Sequence, residues 1–228
     1  MRFVRPALLP ILFMATCSAA DQLQQTLARM DAAAASFKAM TADLQRVNYT
    51  FVIKEEDRSS GTIVVRRAKP KEMQVLVDIK EPDPRQISFS GRTGQLYNPK
   101  TNTVQIAENM DKKYGGVVNE YLLLGFGSDS KDLQEVYTIA LGGPETVAGQ
   151  SATKIELTPR NPDATLHLVK ADLWISDRTG IAVQQQFYYA GGNYDLATYS
   201  NMRIDANIPE SAVKLKLPAN VKREYPLK

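Results

Sequence analysis

Residues 171–204 read ADLWISDRTGIAVQQQFYYAGGNYDLATYSNMRI, and this stretch decides the fold class. It contains three runs with the composition of β-strands, separated by the turn sequences Asp177–Gly180 and Gly191–Asn193. Apolar and polar side chains alternate within the runs, which is typical of an antiparallel sheet with one apolar face. The apolar positions are Leu173, Ile175, Ile181, Val183, Phe187, Tyr189, Leu196, Met202 and Ile204.

The same alternation covers most of the chain. Further strand-like runs occupy 49–54, 63–67, 73–79, 87–89, 96–97, 104–106, 135–141, 151–158 and 165–176. Their hairpin spacing favours a meander over βαβ units, and we count about eleven strands in all. Glu55–Gly61 is predicted to be a polar link between two strands, and the segments 213–217 and 221–225 form a weakly amphipathic tail.

Two segments have helical rather than alternating patterns. Asp21–Met40 carries an apolar stripe at spacings of three and four, formed by Leu23, Leu27, Met30, Ala34 and Phe37. Val117–Phe126 is predicted to be a short helix or helical loop that ends at Gly125 or Gly127. Both are candidate covers for the apolar face of the sheet.

Residues 1–20 have the pattern of a secretory signal: basic residues, an apolar run and small residues before Asp21. The apolar run is too short to cross a bilayer of roughly 30 Å. Cleavage after Ala20 leaves one domain, residues 21–228, with no cysteine and a fold that relies on core burial. The alternative is a lipoprotein signal with acylation of Cys17, although Thr16 fits such a signal poorly.

Charge disfavours nucleic-acid binding. Removal of residues 1–20, which contain two arginines and no acid, lowers the net charge from +3 to +1. Proteins that bind nucleic acids concentrate basic charge instead. We therefore expect no nucleic-acid partner.

Catalytic residues are scarce. His167 is the only histidine and lies on the polar phase of its strand, which disfavours a catalytic triad or a zinc site. No glycine-rich phosphate loop is present. Glu55, Glu56 and Asp57 cluster in a predicted turn, where solvent surrounds them. We expect a protein that is not an enzyme and uses no cofactor or metal; an enzyme with two distant acids is the alternative.

A twisted sheet of this size curls and encloses its apolar face. The sheet becomes a closed barrel, or a half-barrel that the helices cover. The interior is then a solid core with the helices as plug, or a cavity with the helices as lid. The period of the sequence does not distinguish these two outcomes.

Arg67 shares the parity of Ile63 and Val65, which is unusual for a charged residue on an apolar face. Its guanidinium would need acceptors there, and carbonyls at the end of a covering helix would serve. Such a contact could hold a lid shut. Alternatively, the strand ends at this point and the side chain reaches solvent.

The order of these segments resembles the outer-membrane lipoprotein carrier family, the LolA-like proteins of the bacterial periplasm. The resemblance rests on Leu23–Gln25 and Ser36–Ala39 in the first helix, Gly61–Arg67, Leu96–Pro99, Leu173–Gly180 with Val183–Gln185, and Val213–Pro218. It implies a mainly β (α+β) fold, an unclosed antiparallel β-barrel covered by the N-terminal helix and a short internal helix. It also implies a monomer in the periplasm with a hydrophobic cavity for lipoprotein acyl chains.

The resemblance further implies an inner-membrane lipoprotein-releasing ABC complex as the donor of cargo and an outer-membrane acceptor. The family's lid-holding arginine maps onto Arg67, with Arg66 as the alternative because Ala68 and Lys69 precede Pro70. Two other interpretations stay open on the same fold: a module of the envelope that senses lipids or lipoproteins, and a lipidated outer-membrane acceptor.

Strand parity and the helical stripe assign a set of apolar residues to the interior; the resemblance implies that this interior is the cavity and that Arg67 is the lid latch. The set is Leu27, Met30, Phe37, Phe51, Ile63, Val65, Met73, Val75, Val77, Phe89, Leu96, Leu122, Leu173, Ile175, Val183 and Phe187. An acyl chain of about fifteen carbons costs on the order of 12 kcal/mol to hold in water, at about 0.8 kcal/mol per methylene. Transport across an aqueous space therefore requires an apolar shelter that can open.

Overall fold

The computed structural model describes residues 18–70, 72–108, 124–161, 168–204 and 207–226. In these ranges the fold is mainly β, as predicted, with one twelve-stranded sheet and two α-helices. The helices are α1 (Ala19–Ser36) and α2 (Ser130–Val136). No described helix is both long and apolar enough to cross a membrane.

The strands follow one another almost as a simple meander. They are β1 (Ala39–Thr50), β2 (Glu55–Lys69), β3 (Glu72–Glu81), β4 (Arg85–Ser90), β5 (Thr93–Asn98), β6 (Thr103–Ala107), β7 (Tyr137–Val147), β8 (Gln150–Pro159), β9 (Leu168–Ser176), β10 (Ala182–Tyr189), β11 (Tyr194–Ile204) and β12 (Lys222–Glu224). Their spatial order is β12-β6-β5-β4-β3-β2-β1-β11-β10-β9-β8-β7.

The sheet is open, which confirms the predicted unclosed barrel. Neighbouring strands are antiparallel except for β12, which pairs parallel to β6. β12 and β7 stand at opposite ends of the strand order and are not paired with each other. The strand beyond the predicted eleven is β12, which lies in the segment expected to be a weakly amphipathic tail.

α1 lies against one face of the sheet, here called the inner face. Ser18 and Asp21 form a capping box at its start, and its buried stripe includes Leu27, Met30 and Ala34, as the sequence indicates. The helix ends at Ser36, earlier than predicted, because the chain turns extended at Phe37 and enters β1.

Two apolar clusters occupy the inner face. The cluster beside α1, which we call the filled half, contains Leu27, Met30, Leu124, Leu133, Tyr137, Ile155, Leu157, Leu168, Ala171, Leu173, Ile175 and Ala182. The cluster around β1–β3, which we call the open half, contains Phe37, Met40, Ala42, Leu44, Ile63, Val65, Met73, Val75, Ile79, Phe126, Ile181 and Tyr199.

Val183 lies on the outer face, contrary to the prediction. It packs with Val147, Ala152 and Trp174. The register between β9 and β10 shifts between Ala182 and Gln184, so an irregularity interrupts the alternation at Val183. A β-bulge inserts one unpaired residue and breaks the period of two, which explains the error.

The β1–β2 hairpin also differs from the prediction. Glu55–Gly61, expected as a polar link, belongs to β2, and the reversal falls on residues 51–54, where Lys54 has φ 54°. Phe51, predicted to point inward, is therefore at the turn and is 52% exposed. The regular strand ends at Thr50, so its alternation does not determine which way the Phe51 side chain points.

Only the last residues of the second predicted helix lie within the described part of the chain. Of Val117–Phe126, residues 117–123 lie outside the described residues, and with them Leu122. Residues 124–127 form a turn, and α2 lies further along the chain than the predicted helix. His167 also lies outside the described residues.

Candidate functional site

A cavity of about 250 Å³ lies on the inner face, in the open half of the sheet. Its walls come from β1–β4, β10, β11 and the turn at 124–127. Most of its lining is apolar. The lining residues are Leu44, Arg46, Ile63, Val65, Val75, Val77, Ile87, Phe126, Gln185, Phe187, Tyr189, Asp195, Leu196, Ala197 and Tyr199.

The structure places five of the predicted cavity residues in this lining: Ile63, Val65, Val75, Val77 and Phe187. Others are buried beside it or in the filled half. Phe37 and Met73 belong to the cluster of the open half, and the partly buried Phe89 packs against it, whereas Leu27, Met30, Leu173 and Ile175 belong to the filled half. Leu96 is half-buried and pairs with Ile87, which does line the cavity.

The residues that sequence reasoning missed come mainly from β1 and β11. The predicted first strand began at Tyr49, whereas β1 begins at Ala39 and brings Leu44 and Arg46 to the inner face. The alternation of apolar and polar residues from Ala42 to Leu44 is visible in the sequence and would have predicted that this part of β1 lines the inner face. Phe126 lies in a segment predicted to cover the sheet, but it is not among the predicted cavity residues, and a turn rather than a helix positions it.

One end of the cavity is polar. Arg46 Nη2 lies 3.4 Å from Asp195 Oδ1, and the Tyr189 hydroxyl donates to Asp195 Oδ2 at 3.2 Å. The Asn48 side-chain amide also donates to Asp195. Asn48 and Asp195 are paired across β1 and β11. They lie close to the turn that follows β1 and the turn that precedes β11. The cavity thus has an apolar body and a charged, hydrogen-bonded end.

Tyr199 and Gln185 connect the sheet to the turn at 124–127. The Tyr199 hydroxyl donates to Gln185 Oε1 at 2.6 Å, and the Gln185 amide donates to the Leu124 carbonyl. The Phe126 ring meets the Tyr199 ring edge-on at 5.2 Å. Burial raises the pKa of the Tyr199 hydroxyl, and the nearby Arg46 opposes that shift. Tyr199 therefore stays neutral and serves as a donor at neutral pH.

Arg67 joins three parts of the molecule. Its Nη1 donates to the Ala34 carbonyl in the last turn of α1 at 2.7 Å, and its Nη2 donates to the Gly127 carbonyl at 3.2 Å. Its guanidinium carbon lies 5.8 Å from the centre of the Phe37 ring. The Ala34 carbonyl is an acceptor at the end of a covering helix, which is the kind of partner that the sequence predicts for an Arg67 guanidinium on the inner face. The role of Arg67 as a latch stays a prediction.

Arg66 points elsewhere. Its Nη1 donates to Gln74 Oε1 at 2.8 Å, and Gln74 in turn donates to Ser90. Arg66 and Gln74 are paired across β2 and β3, in the register next to Arg67 and Met73. Of the two candidate arginines, Arg67 is the one that contacts the covering elements.

A second polar cluster lies on the outer face and is an ion-pair network. Asp172, which is fully buried, lies 2.9 Å from Lys154 Nζ and 3.0 Å from Lys170 Nζ. The Tyr188 hydroxyl donates to Asp172, and burial together with this carboxylate raises the pKa of Tyr188 to about 12. The two lysines balance the buried charge of Asp172 across β8–β10. None of these residues lines a described cavity.

No catalytic arrangement emerges from the described part of the chain. The acids Glu55, Glu56 and Asp57 stand exposed on β2, where Glu56 pairs with Arg58. Within the described ranges, no three histidine, cysteine, aspartate or glutamate residues are placed to hold a metal ion.

Comparison with known proteins gives a family and a fold. Residues 32–214 match the family model described as the MucB/RseB N-terminal domain. No curated protein sequence matches the chain. Similar solved structures include an uncharacterized conserved protein from Thermus thermophilus, at 12% identity and a TM-score of 0.54, over 90% of this chain and 99% of that one.

MucB has a similar structure, at 15% identity and a TM-score of 0.52, over 88% of this chain. The alignment covers 64% of MucB, so this chain spans slightly less than two thirds of its length. MucB has also been solved in complex with MucA(peri). A LolA superfamily protein from Nitrosomonas europaea matches at 14% identity and a TM-score of 0.40, over 84% of this chain and 97% of that one. At such identities, MucB and the Thermus protein, with TM-scores above 0.5, show likeness of fold alone.

Proposed function

Because the chain belongs to the MucB/RseB N-terminal domain family and has a LolA-like fold, we propose that it is a periplasmic protein that binds lipid acyl chains in its inner-face cavity. The resemblance predicted from the sequence is confirmed for the family and the fold, whereas the location and the function are what we propose. In the proposed form, residues 1–20 direct export and residues 21–228 are the exported domain. The protein acts by binding rather than by catalysis.

The observation that carries the proposal is the two-part character of the cavity. Apolar side chains of β1–β4, β10 and β11 form its body, and Arg46 with Asp195 forms one end. An amphipathic lipid has the same division: its acyl chain is sheltered in the body, and its ester or amide groups find donors and acceptors at the end. Small-molecule sites in proteins have this mixture of apolar walls and few polar groups.

The size of the cavity implies a movement. About 250 Å³ is smaller than the roughly 300–1,000 Å³ of typical ligand pockets, so a long acyl chain requires more space than the structure offers. The turn at 124–127 and the end of α1 are the parts that can supply it. Both are tied to β2 through Arg67.

Arg67 is therefore the proposed latch. Hydrogen bonds to charged groups contribute about 1.5–3 kcal/mol, which is enough to bias an open–closed equilibrium at least tenfold. With the latch made, α1 and the 124–127 turn stay against the sheet. Entry of a lipid competes with these two hydrogen bonds, and their recovery favours release.

The preferred role is that of a carrier for lipoproteins. In this role it receives cargo from an inner-membrane lipoprotein-releasing ABC complex and gives it to an outer-membrane acceptor. The LolA-like fold and the latch contacts support this role. The specific partners follow from the resemblance to the carrier family.

The second candidate is an envelope module that senses lipids or lipoproteins and passes the information to a protein partner. The match to the MucB/RseB model over residues 32–214 favours it. MucB itself has been solved with MucA(peri), although this chain spans only 64% of MucB. Both candidates use the same cavity and differ in what lipid binding changes.

Filling the cavity tests the shared part of both candidates. Ala197→Phe places a ring in the cavity wall, whereas Ala140→Phe places the same ring at an exposed position of β7. We expect Ala197→Phe to weaken binding of a fluorescent sixteen-carbon fatty acid at least tenfold and Ala140→Phe to leave it unchanged. Equal binding by the two variants, measured by fluorescence titration, would mean that the lipid does not occupy this cavity.

A transfer assay separates the two candidates. Purified protein is incubated with inner-membrane vesicles that carry a labelled lipoprotein, and soluble complexes are collected after centrifugation. A carrier yields a soluble one-to-one complex and later delivers the lipoprotein to acceptor membranes. A sensor releases or binds its protein partner on addition of lipid but leaves the lipoprotein in the vesicles.

A further inference from the structure

The turn between β1 and β2 presents three consecutive apolar side chains to solvent. Phe51 is 52% exposed, Val52 84% and Ile53 59%. Isolated apolar residues are common on protein surfaces, but a contiguous exposed run marks a site of interaction. We call residues 51–53 the hairpin tip.

The tip projects beyond the neighbouring strand. β2 pairs with β1 from Glu55 onward but with β3 only from Ser60 onward. At about 3.3 Å per residue, Glu55–Ser59 therefore extends about 17 Å past the end of β3. The tip is the part of this hairpin furthest from that edge.

On its other side the tip is supported by the β10–β11 turn. The Phe51 backbone amide donates to Asn193 Oδ1 at 2.9 Å. The Phe51 ring lies against Gly192, where φ is 84° and a Cβ atom would come within 2.9 Å of the ring. The turn thus holds Phe51, the first residue of the tip, in place.

Tyrosines surround the base of the tip. The rings of Tyr49 and Tyr194 stack at 5.0 Å, and the Tyr188 ring lies 6.3 Å from that of Tyr194. The Tyr194 hydroxyl donates to Glu56 at 3.1 Å. Tyrosine combines an apolar ring with a polar hydroxyl and is enriched where a protein meets the interface between lipid and water.

We propose that the hairpin tip inserts into the surface of a phospholipid bilayer, with the tyrosines at the level of the headgroups. Area favours a bilayer over a protein partner. The three side chains expose on the order of 300 Å², less than half of the roughly 800 Å² per partner of a stable protein interface. A bilayer, by contrast, accepts a small apolar wedge of any shape.

The charges near the tip indicate the kind of lipid. Lys54 and Arg58 are accompanied by Glu55, Glu56 and Asp57, so the hairpin carries no excess of positive charge. Anionic membranes attract basic segments, because lysine and arginine side chains are drawn to the negative surface potential. This hairpin is suited instead to zwitterionic headgroups such as phosphatidylethanolamine.

The position of the hairpin tip suits it to bring the cavity close to a membrane, and this role rests on the proposed function. Asn48 and Asp195, at the polar end of the cavity, lie on the strands that lead directly into the two contacting turns. A tip anchored in a membrane brings this end of the cavity close to the headgroups. A lipid acyl chain then crosses a short distance between bilayer and cavity.

The test is flotation with vesicles of phosphatidylethanolamine and phosphatidylcholine. The variant Phe51→Ser/Val52→Ser/Ile53→Ser should lose at least tenfold in vesicle binding, because it removes the apolar wedge. Ile204→Ser is the matched control: Ile204 is 47% exposed but pairs with Met40, at the opposite end of β1. It should bind vesicles as the wild type does.

A second readout locates the contact. Val52→Trp should show a blue-shifted emission on addition of these vesicles, since Trp174, the native tryptophan, is 5% exposed and hydrogen-bonded to Glu145. No shift, equal binding by the triple serine variant, or binding only to anionic vesicles would overturn the proposal. So would capture of a protein by the tip without any vesicle binding.

Fatty-acid titration in the absence of membranes keeps the two proposals apart. The triple serine variant should bind the fluorescent fatty acid as the wild type does, because the tip is not part of the cavity lining. Vesicle binding without fatty-acid binding in the wild type would contradict the proposed function and leave the membrane contact standing. Fatty-acid binding without vesicle binding would do the reverse.

Discussion

The two halves of the inner face are built from the same alternating strands, yet one is filled and the other holds a cavity. In the filled half, Leu27 and Met30 of α1 pack on Ile155, Leu157 and Leu173. In the open half, a space of about 250 Å³ remains between Leu44, Ile63, Val75 and Ala197. Strand parity therefore determines which way a side chain faces. It does not determine whether another element fills the space in front of it.

The position of α1 accounts for the difference. Its buried stripe lies over β7–β10, and α1 also contacts α2. Only its last residues and Phe37 reach the open half. Among the described residues, the turn at 124–127 covers this half, and Tyr199, Gln185 and Arg67 hold it through a few hydrogen bonds.

The largest expected effect comes from truncating a leucine in each half. Leu173→Ala in the filled half should lower the free energy of unfolding by about 3–5 kcal/mol, since it creates a cavity among close-packed neighbours. Leu44→Ala should cost about 1–2 kcal/mol, because Leu44 already borders empty space and loses fewer contacts. Urea unfolding of both variants measures the difference.

Equal losses of stability at Leu173 and Leu44 would contradict this contrast between the halves. A loss in fatty-acid binding by Leu173→Ala that exceeds the loss by Leu44→Ala would also contradict it. Such a result would move the binding site from the open half to the filled half.

An intermediate effect is expected at the cover. Arg67→Leu should keep the fold and bind fatty acid, but it should lower lipoprotein transfer to acceptor membranes about tenfold because the closed state is no longer favoured. Arg66→Leu is the matched control, since Arg66 bonds Gln74 rather than the cover. The transfer assay compares both with the wild type.

Normal transfer by Arg67→Leu would remove the latch from the mechanism. A defect in Arg66→Leu alone would show that the latch role had been assigned to the wrong arginine. Hydrogen exchange at residues 124–127 gives an independent check, because loss of the bond to Gly127 should speed exchange there.

The smallest expected effect concerns alkaline pH. Burial raises the pKa of Tyr199, and burial with Asp172 raises that of Tyr188 to about 12. Both hydroxyls stay neutral in the folded state at pH values where the unfolded chain ionises, near its usual value of 10.0. The folded state therefore binds more protons, and stability falls as the pH rises above about 10.

Tyr199→Phe should reduce this alkaline loss more than Tyr188→Phe, because Tyr199 is fully enclosed in the open half and Tyr188 is half-buried on the outer face. Urea titrations at pH values of about 8, 10 and 11 give the comparison. A steeper decline in Tyr199→Phe than in the wild type would contradict the assignment.

The sequence predicted the sheet well because the alternation of apolar and polar residues indicates directly which face of the sheet each side chain lies on. Ile63, Val65, Val75 and Val77 point inward, as their parity requires. The prediction failed where the backbone departs from a regular strand. The register shift at Val183 and the turn at Phe51 are such departures, and neither has a strong local signature.

The cavity was less predictable than the sheet. Its closure depends on Phe126 and Gly127, far in sequence from the strands that they cover. The polar end depends on a contact between Arg46 and Asp195, on strands paired only through the tertiary fold. The alternation within a single strand does not reveal such pairings, although it did single out Arg67 as a charged side chain that needs carbonyl partners.

The open ends of the sheet bear on aggregation. An unpaired strand edge offers hydrogen bonds to another chain and invites polymerisation. In the described residues one end is covered by β12, three residues long and parallel to β6. At the other end, β7 carries a register shift between Leu141 and Gly143, followed by Pro144, which has no amide hydrogen to donate. The protein can keep its barrel unclosed and still discourage strand addition at either edge.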